Sequence, residues 1–217
     1  MLPALEQDND MRTGVETPVL DLRLRRFAYA KTPVLRDITL SMARGETLAL
    51  VGPSGVGKSS LLRVLAGLET AFDGECHVDG KVAIVFQEPT LMPWRNARDN
   101  ITIPTQATPA EADAALADVG LADLAATYPN RLSLGQQRRL ALARAFAVRP
   151  DLLLLDEPFV SLDPALVDDM MNLFVQLRDA HNLATVLVTH VEDEARRLAD
   201  RVVRLAGSPA TAISAAS

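Results

Sequence analysis

A glycine-rich loop that ends in a lysine and a serine lies at residues 52–59 of this 217-residue chain. Its sequence, GPSGVGKS, fits the pattern GxxxxGK[ST]. The apolar run at 46–51 suits a buried strand, and residues 58–67 carry apolar side chains at helical spacing. Strand, glycine loop and helix together form a cradle for phosphate groups, since the loop N–H groups and the helix N-terminus attract anions. The pattern predicts a site for ATP or GTP; the alternative is a glycine turn before an ordinary helix.

The residue types within this phosphate loop predict separate roles. Backbone N–H groups of Gly55, Gly57 and Lys58 are expected to surround the phosphate oxygens. The Lys58 ammonium is expected to reach the β- and γ-phosphates, and the Ser59 hydroxyl to ligate Mg²⁺. The full set of expected nucleotide contacts here is Gly52, Pro53, Ser54, Gly55, Val56, Gly57, Lys58, Ser59 and Ser60.

Two adjacent acids, Asp156 and Glu157, follow the apolar run at 152–155. Open α/β sheets bind their ligands at the carboxyl ends of the strands, which is where this pair is expected to lie. Because side chains alternate along a strand, Asp156 is expected to hold Mg²⁺ with Ser59, while Glu157 polarises the water that attacks the γ-phosphate. The alternative is a solvated turn before Pro158.

Composition limits the classes of protein to consider. A chain that is 48% hydrophobic can bury a large core, so global disorder is excluded. A net charge of −6 and a pI near 5.1 argue against a nucleic-acid partner. Cys76 is the single cysteine, which rules out an intrachain disulfide and suits a reducing cytosol. The acidic N-terminus does not fit a signal peptide, and no apolar run approaches the ~20 residues of a membrane span.

Periodicity predicts an α/β protein with a doubly wound core. Residues 19–29 and 34–42 alternate as antiparallel strands do, and 78–85 fit a turn followed by a strand. A small helical insertion is predicted at 93–133, with a capping box at 108–111. After it, helices at 134–147 and 164–181 alternate with apolar strands at 152–155 and 184–189. The expected division is a flexible arm at 1–17, one domain at 18–206 and a flexible tail at 207–217.

The segment Leu132-Ser133-Leu134-Gly135-Gln136 adds a third motif. With the helical pattern after it, it resembles the signature LSGGQ of ATP-binding cassette (ABC) proteins, the ATPase subunits of membrane transporters. The resemblance spans about residues 19–205. It implies a P-loop NTPase core with a RecA-like mixed sheet, an N-terminal antiparallel β subdomain and an inserted helical subdomain. Ser133, Gly135 and Gln136 would then face the γ-phosphate bound by another subunit; the alternative is that Ser133 and Gln136 form an ordinary capping box.

Leu134 departs from the family pattern, which usually has a glycine there. A leucine does not adopt positive-φ conformations cheaply, and it adds bulk at the dimer seam that the resemblance implies. Sandwiching of the nucleotide is still expected, whereas the rate of hydrolysis is left open.

Four further positions match the family one by one. Tyr29 matches the aromatic that stacks on adenine, and Gln87 matches the glutamine that contacts Mg²⁺ and the attacking water. Asp163 matches a loop at the dimer interface, and His190 matches the histidine that bonds the γ-phosphate. The alternatives are a strand-edge aromatic, a solvated glutamine, a helix N-cap and a surface histidine. The implied catalytic set is Glu157, His190, Gln87 and Lys58, and the implied metal set is Ser59, Gln87 and Asp156.

The resemblance implies an ATPase with ATP and Mg²⁺ as cofactors, working as a homodimer or paired subunit around two ATP. It implies integral membrane permeases and an extracytoplasmic solute-binding protein as partners, and a peripheral place on the cytoplasmic face of the inner membrane. The segment FQEPTLMPWRNARDNI at 86–101 resembles the nitrate, sulfonate and taurine importers most. Two rivals remain: a non-transport ATPase of the same superfamily, and a weakly hydrolysing regulatory subunit.

Overall fold

The computed structural model describes residues 17–214, and most of the predicted N-terminal arm lies outside them. Its strands are Leu20–Tyr29 (β1), Thr32–Met42 (β2), Thr47–Val51 (β3), Asp73–Val78 (β4), Val82–Val85 (β5), Leu152–Asp156 (β6), Ala184–Thr189 (β7), Arg201–Gly207 (β8) and Ala210–Ser214 (β9). Its α-helices are Lys58–Leu65 (α1), Ala97–Thr105 (α2), Pro109–Asp118 (α3), Leu134–Ala147 (α4), Pro164–His181 (α5) and Glu192–Leu198 (α6). Short 3₁₀ turns lie at Ala122–Leu124 and Pro129–Arg131.

The strands form one mixed sheet in the order β4-β1-β2-β9-β8-β3-β7-β6-β5. The five strands from β8 to β5 run parallel, and β1 pairs antiparallel with both β2 and β4. The predicted α/β P-loop fold with an antiparallel β portion is therefore confirmed. In the parallel part β3, β7, β6 and β5 are successive neighbours, so their carboxyl ends meet along one edge.

The core lies on both faces of β3, β6 and β7, which explains why these three strands are buried at nearly every position and mostly apolar. Along β6, Leu153 and Leu155 pack with α4 and α5, whereas Leu152 and Leu154 pack with α1 and the antiparallel strands. Successive side chains of a strand point to opposite faces, so a run of leucines fills two layers at once.

Local signals account for the helix boundaries. Helix α3 begins at a complete capping box made by Thr108 and Glu111, and α4 begins at another made by Ser133 and Gln136. Helix α5 begins with Asp163 as N-cap and Pro164 in its first turn. Helices α2 and α3 lie within the helical insertion predicted at 93–133 and pack against α4, which follows it.

The predicted flexible tail at 207–217 is wrong for residues 207–214. Residues 210–214 form β9, which pairs antiparallel with β8 and touches β2 through the Leu35–Ala210 pair. Strand β9 therefore joins the antiparallel strands to the parallel core. The sequence did not indicate this strand because its residues are small. Ala210 is nevertheless only 1% exposed, because the neighbouring strands cover it. Residues 215–217 lie outside the described range.

Candidate active site

A polar cleft of about 460 Å³ lies at the edge where the parallel strands end. The phosphate loop forms its floor, between the end of β3 and the start of α1. The lining residues are Tyr29, Val34, Ser54, Gly55, Gly57, Lys58, Ser59, Ser60, Gln87 and Glu157. The structure thus brings the phosphate loop, Gln87 and Glu157 together, as their positions after β3, β5 and β6 predict.

Two glycines explain why the loop is compact. Gly57 has φ of +113°, and a Cβ there would lie 2.8 Å from Cδ2 of Leu35. Gly52 has φ of +157°, and a Cβ there would lie 2.6 Å from the carbonyl oxygen of Leu205. The loop therefore packs on β2 and β8 in a way that only glycine allows, with its backbone facing the cleft.

Lys58 is buried beneath the loop. Its Nζ donates to the carbonyl oxygens of Gly52 at 2.9 Å and Pro53 at 3.1 Å. The same ammonium lies 3.7 Å from Oε1 of Glu157. A buried ammonium is able to form a charge-assisted hydrogen bond to an anion such as a phosphate, although the nearby Glu157 carboxylate partly offsets its charge.

Ser59 and Asp156, which the sequence predicts to be metal ligands, are in direct contact. The Ser59 hydroxyl donates to Oδ1 of Asp156 at 3.1 Å. Burial raises the pKa of Asp156; the Ser59 hydrogen bond and the cations Arg63 and Lys58 lower it, while Glu157 raises it further. A hydroxyl, a carboxylate and the nearby Gln87 amide are hard oxygen donors, which is the chemistry that Mg²⁺ prefers. This donor set fits Mg²⁺, and the ion would supply charge neutralisation for the phosphates.

Glu157 stands between Lys58 and His190. Its Oε2 lies 3.3 Å from Nδ1 of His190, which follows β7. Glu157 has φ of +48°, a left-handed conformation that is costly for a residue with a Cβ. Its backbone N–H still donates to Val188 O of β7 at 2.9 Å, and its side chain lines the cleft. A carboxylate in this position is able to accept a proton from a water beside the γ-phosphate.

Tyr29 lies at the rim of the same cleft. Its hydroxyl donates to Oε1 of Glu69 at 3.2 Å and accepts from Arg63 at 3.4 Å, and its ring packs edge-on against Phe27. The ring is thus fixed and partly exposed, as a surface for stacking requires. Adenine stacking stays a prediction.

The residues of the signature-like segment do not line this cleft. Ser133, Gly135 and Gln136 start α4, and Asp163 caps α5 by accepting from Leu166 N at 3.1 Å. A Cβ on Gly135 would lie 2.8 Å from the Leu166 side chain, so these two helix starts touch. The capping-box alternative for Ser133 and the N-cap alternative for Asp163 are therefore real features. Within the first turn of α4, Gln136 N already donates to Ser133 Oγ at 3.2 Å.

Leu134 sits in the first turn of α4 with no positive φ. The expected backbone cost of a leucine here is therefore wrong, because the segment is helical at this residue. Its side chain is 44% exposed. Leu134 adds apolar bulk to an outward-facing helix start without straining it.

The model of the ABC transporter family matches residues 35–160, which is more than half of the chain. This chain belongs to the ABC transporter family. The aliphatic sulfonates import ATP-binding protein SsuB 2 of Burkholderia cenocepacia (strain HI2424) is 42% identical over 207 residues, covering 90% of this chain and 77% of that protein. The SsuB protein of Granulibacter bethesdensis is 44% identical over 192 residues, covering 88% of this chain and 81% of that protein.

A solved structure shares the fold of this ABC ATPase. The dimeric ATP-binding cassette MJ0796, in a post-hydrolysis state bound to ADP and Pi, superposes with a TM-score of 0.77 at 27% identity. The alignment covers 89% of this chain and 96% of that one. Family and neighbour together identify the chain as an enzyme that binds and hydrolyses ATP. Across residues 17–214, no helix of this ABC ATPase is long and apolar enough to cross a membrane.

Sequence reasoning missed three side chains that hold the site of this ABC ATPase. Arg144 of α4 donates to the carbonyl oxygens of Pro89 and Thr90, both at 3.0 Å, and so fixes the loop after Gln87. Arg138 of α4 supports the loop after Glu157. Glu194 of α6 accepts from Oγ1 of Thr189 at 2.5 Å. The available signal was a charged residue at a buried position of a helix. The sequence pattern does not indicate which groups such a residue contacts.

Glu194 fixes the turn that carries His190. The Thr189 hydroxyl donates to Glu194 and accepts from Val191 N at 3.0 Å, so bonds flank the histidine on both sides. Burial raises the pKa of Glu194; the Thr189 hydrogen bond and nearby His190 lower it, and Glu157 raises it. The net direction is upward, so this buried carboxyl is protonated more readily than an exposed one.

A Glu194→Gln variant is therefore expected to be more thermostable than the wild type at alkaline pH. A carboxyl whose folded-state pKa is raised contributes stability below its unfolded pKa, and this contribution is lost as pH rises through the folded pKa. Glutamine still accepts from Thr189 but does not ionise. The gain in Tm, measured by scanning fluorimetry at pH 5, 6.5 and 8, should increase with pH. A gain that is the same at all three values would contradict the assignment.

Proposed function

We propose that this ABC ATPase is the nucleotide-binding subunit of an importer and that two copies close around two ATP molecules to drive separate membrane permeases. The observation that carries the proposal is the split between the two halves of the site. The cleft gathers Lys58, Ser59 and Glu157, whereas Ser133, Gly135 and Gln136 at the start of α4 do not line it. A second chain would bring Ser133 and Gly135 over the nucleotide, which is consistent with the dimeric state of the related cassette.

Within each composite site the roles follow from position. Lys58 and the loop N–H groups bind the β- and γ-phosphates; Ser59, Asp156 and Gln87 hold Mg²⁺. Glu157 accepts a proton from the attacking water, and His190 contacts the γ-phosphate beside it. ATP acts through its higher affinity for the closed dimer, so hydrolysis allows the dimer to reopen. Glu157 favours this active role over that of a non-hydrolysing regulatory subunit.

The helical subdomain supplies a surface for a permease. Trp94 is 70% exposed on the loop before α2. Asn100 fixes this loop, since its Oδ1 accepts from Met92 N at 2.7 Å and its Nδ2 donates to the Met92 and Arg95 carbonyls at 3.1 and 3.0 Å. A rigidly displayed tryptophan next to the Gln87 loop suits an interface with an apolar helix. Such a contact would place this subunit at the cytoplasmic face of the membrane.

The relatives named for aliphatic sulfonate import make sulfonates the first solute to test. In cells that lack the gene, growth on an alkanesulfonate as sole sulfur source should fail, while growth on sulfate should persist. Wild-type protein and a His77→Ala variant, altered on β4 outside the cleft lining, should restore growth. Glu157→Gln should not. Normal growth of the deletion strain on sulfonates, with loss of growth on nitrate, would move the assignment to another solute; no defect in uptake of any solute would overturn the importer role.

A further inference from the structure

Arg138 of α4 is buried, with 8% of its surface exposed. Its two terminal nitrogens donate to the carbonyl oxygens of Pro158 and Val160. Within residues 17–214 its Nε has no hydrogen-bond partner. Burying a guanidinium against neutral acceptors costs free energy, since carbonyl groups offset its lost hydration only in part. This cost indicates that Arg138 has a role other than stabilising the fold.

The two carbonyls belong to the loop that begins at Glu157. Glu157 N donates to Val188 O at 2.9 Å, and Val160 N donates back to Glu157 O at 3.3 Å, which closes a turn. Phe159, between the two acceptors, is itself buried. The planar fork of an arginine spans both carbonyls at once, which a single ammonium does not. Arg138 therefore holds, from behind, the turn in which Glu157 has its left-handed conformation.

Arg138 also lies on the helix that starts at Ser133. A shift of α4 displaces the guanidinium and, through the two carbonyls, the turn that orients the Glu157 carboxylate. The position of that carboxylate is tightly constrained, because it lies 3.7 Å from Lys58 Nζ and 3.3 Å from His190 Nδ1. Small misplacements of a catalytic group cost much of the rate.

We propose that Arg138 is a positioning residue for ATP hydrolysis, which fixes the turn of Glu157 and couples it to the orientation of α4 in the same chain. This inference rests on the proposed role of Glu157 as the base. Helix α4 would then have two roles in the dimer. Its first turn would contact the nucleotide bound by the partner subunit, while Arg138 would position Glu157 in the site of its own chain.

The test compares Arg138→Lys with Arg139→Lys in the full-length protein. Arg139 is the matched control, because it is the next residue of α4, is partly buried, and joins that helix to Val119 O and Asp169 without touching the Glu157 turn. Arg138→Lys should lower kcat about 100-fold with the KM for ATP changed less than about twofold. Arg139→Lys should lower Tm while keeping kcat within about twofold of the wild type.

A double-mutant cycle separates this inference from the proposed function. In the Glu157→Gln background, Arg138→Lys should add less than about a twofold loss in single-turnover hydrolysis, since the group it positions is already gone. Losses that multiply in the double variant, or equal losses in the two lysine variants, would overturn the role of Arg138. Wild-type kcat in Glu157→Gln would instead overturn the role of Glu157. If Arg138→Lys does not fold, Arg138→Gln applies the same test without a buried charge, and wild-type kcat in it would overturn the proposal.

Discussion

A Glu157→Gln variant is expected to bind ATP but to hydrolyse it about 10³-fold more slowly than the wild type. Glutamine keeps the size of the side chain and a donor or acceptor toward Lys58 and His190, but it does not take a proton from water. Removing the negative charge also relieves repulsion with a γ-phosphate. ATP should therefore accumulate in the closed state, and the variant should elute as a dimer in gel filtration with ATP.

The control is Glu192→Gln on α6, which removes an exposed ion pair with Arg204 and should leave both readouts unchanged. Two results together would refute the composite site. One is a Glu157→Gln variant that stays monomeric at saturating ATP. The other is a wild-type protein without ATPase activity even in the presence of its permease.

Lys58→Ala is expected to weaken ATP binding about 100-fold. The ammonium now donates to the Gly52 and Pro53 carbonyls and is expected to donate to phosphate oxygens when ATP enters. A hydrogen bond to a charged group contributes about 1.5–3 kcal/mol, and every 1.4 kcal/mol is tenfold in affinity. Isothermal titration with ATP in EDTA measures this loss without hydrolysis.

Loss of fold is the competing explanation for weak binding by Lys58→Ala, because the lysine is buried against Glu157. A Lys58→Met variant keeps the buried aliphatic stem and loses only the charge, so it should bind as weakly as the alanine variant while unfolding at a higher temperature. Wild-type affinity in a folded Lys58→Met protein would show that the loop backbone alone binds the phosphates.

Much of the fold followed from local signals. The helix from Leu134 to Ala147 and the helix from Pro164 to His181 begin at caps that are readable in the sequence, and the structure places both where they were predicted. Strands β6 and β7 were readable as short apolar runs for the same reason that they are stable, since both of their faces are buried. Strands β4, β8 and β9 were not identified, because their side chains are mixed or small and their stability comes from their neighbours.

The sequence by itself determined which residues carry the chemistry, because a phosphate loop, an acid after a strand and a helix cap are made of residues close together in the chain. Only the tertiary structure decided which of them meet. Strand order puts Gln87, Glu157 and the phosphate loop in one cleft and leaves Ser133 outside it. It also decided that Arg138 holds the Glu157 turn. The two carbonyl groups that accept from Arg138 lie 20 and 22 positions further along the chain. Every residue has a backbone carbonyl group, so a hydrogen bond to such a group does not depend on the type of the accepting residue. No sequence pattern therefore reveals it.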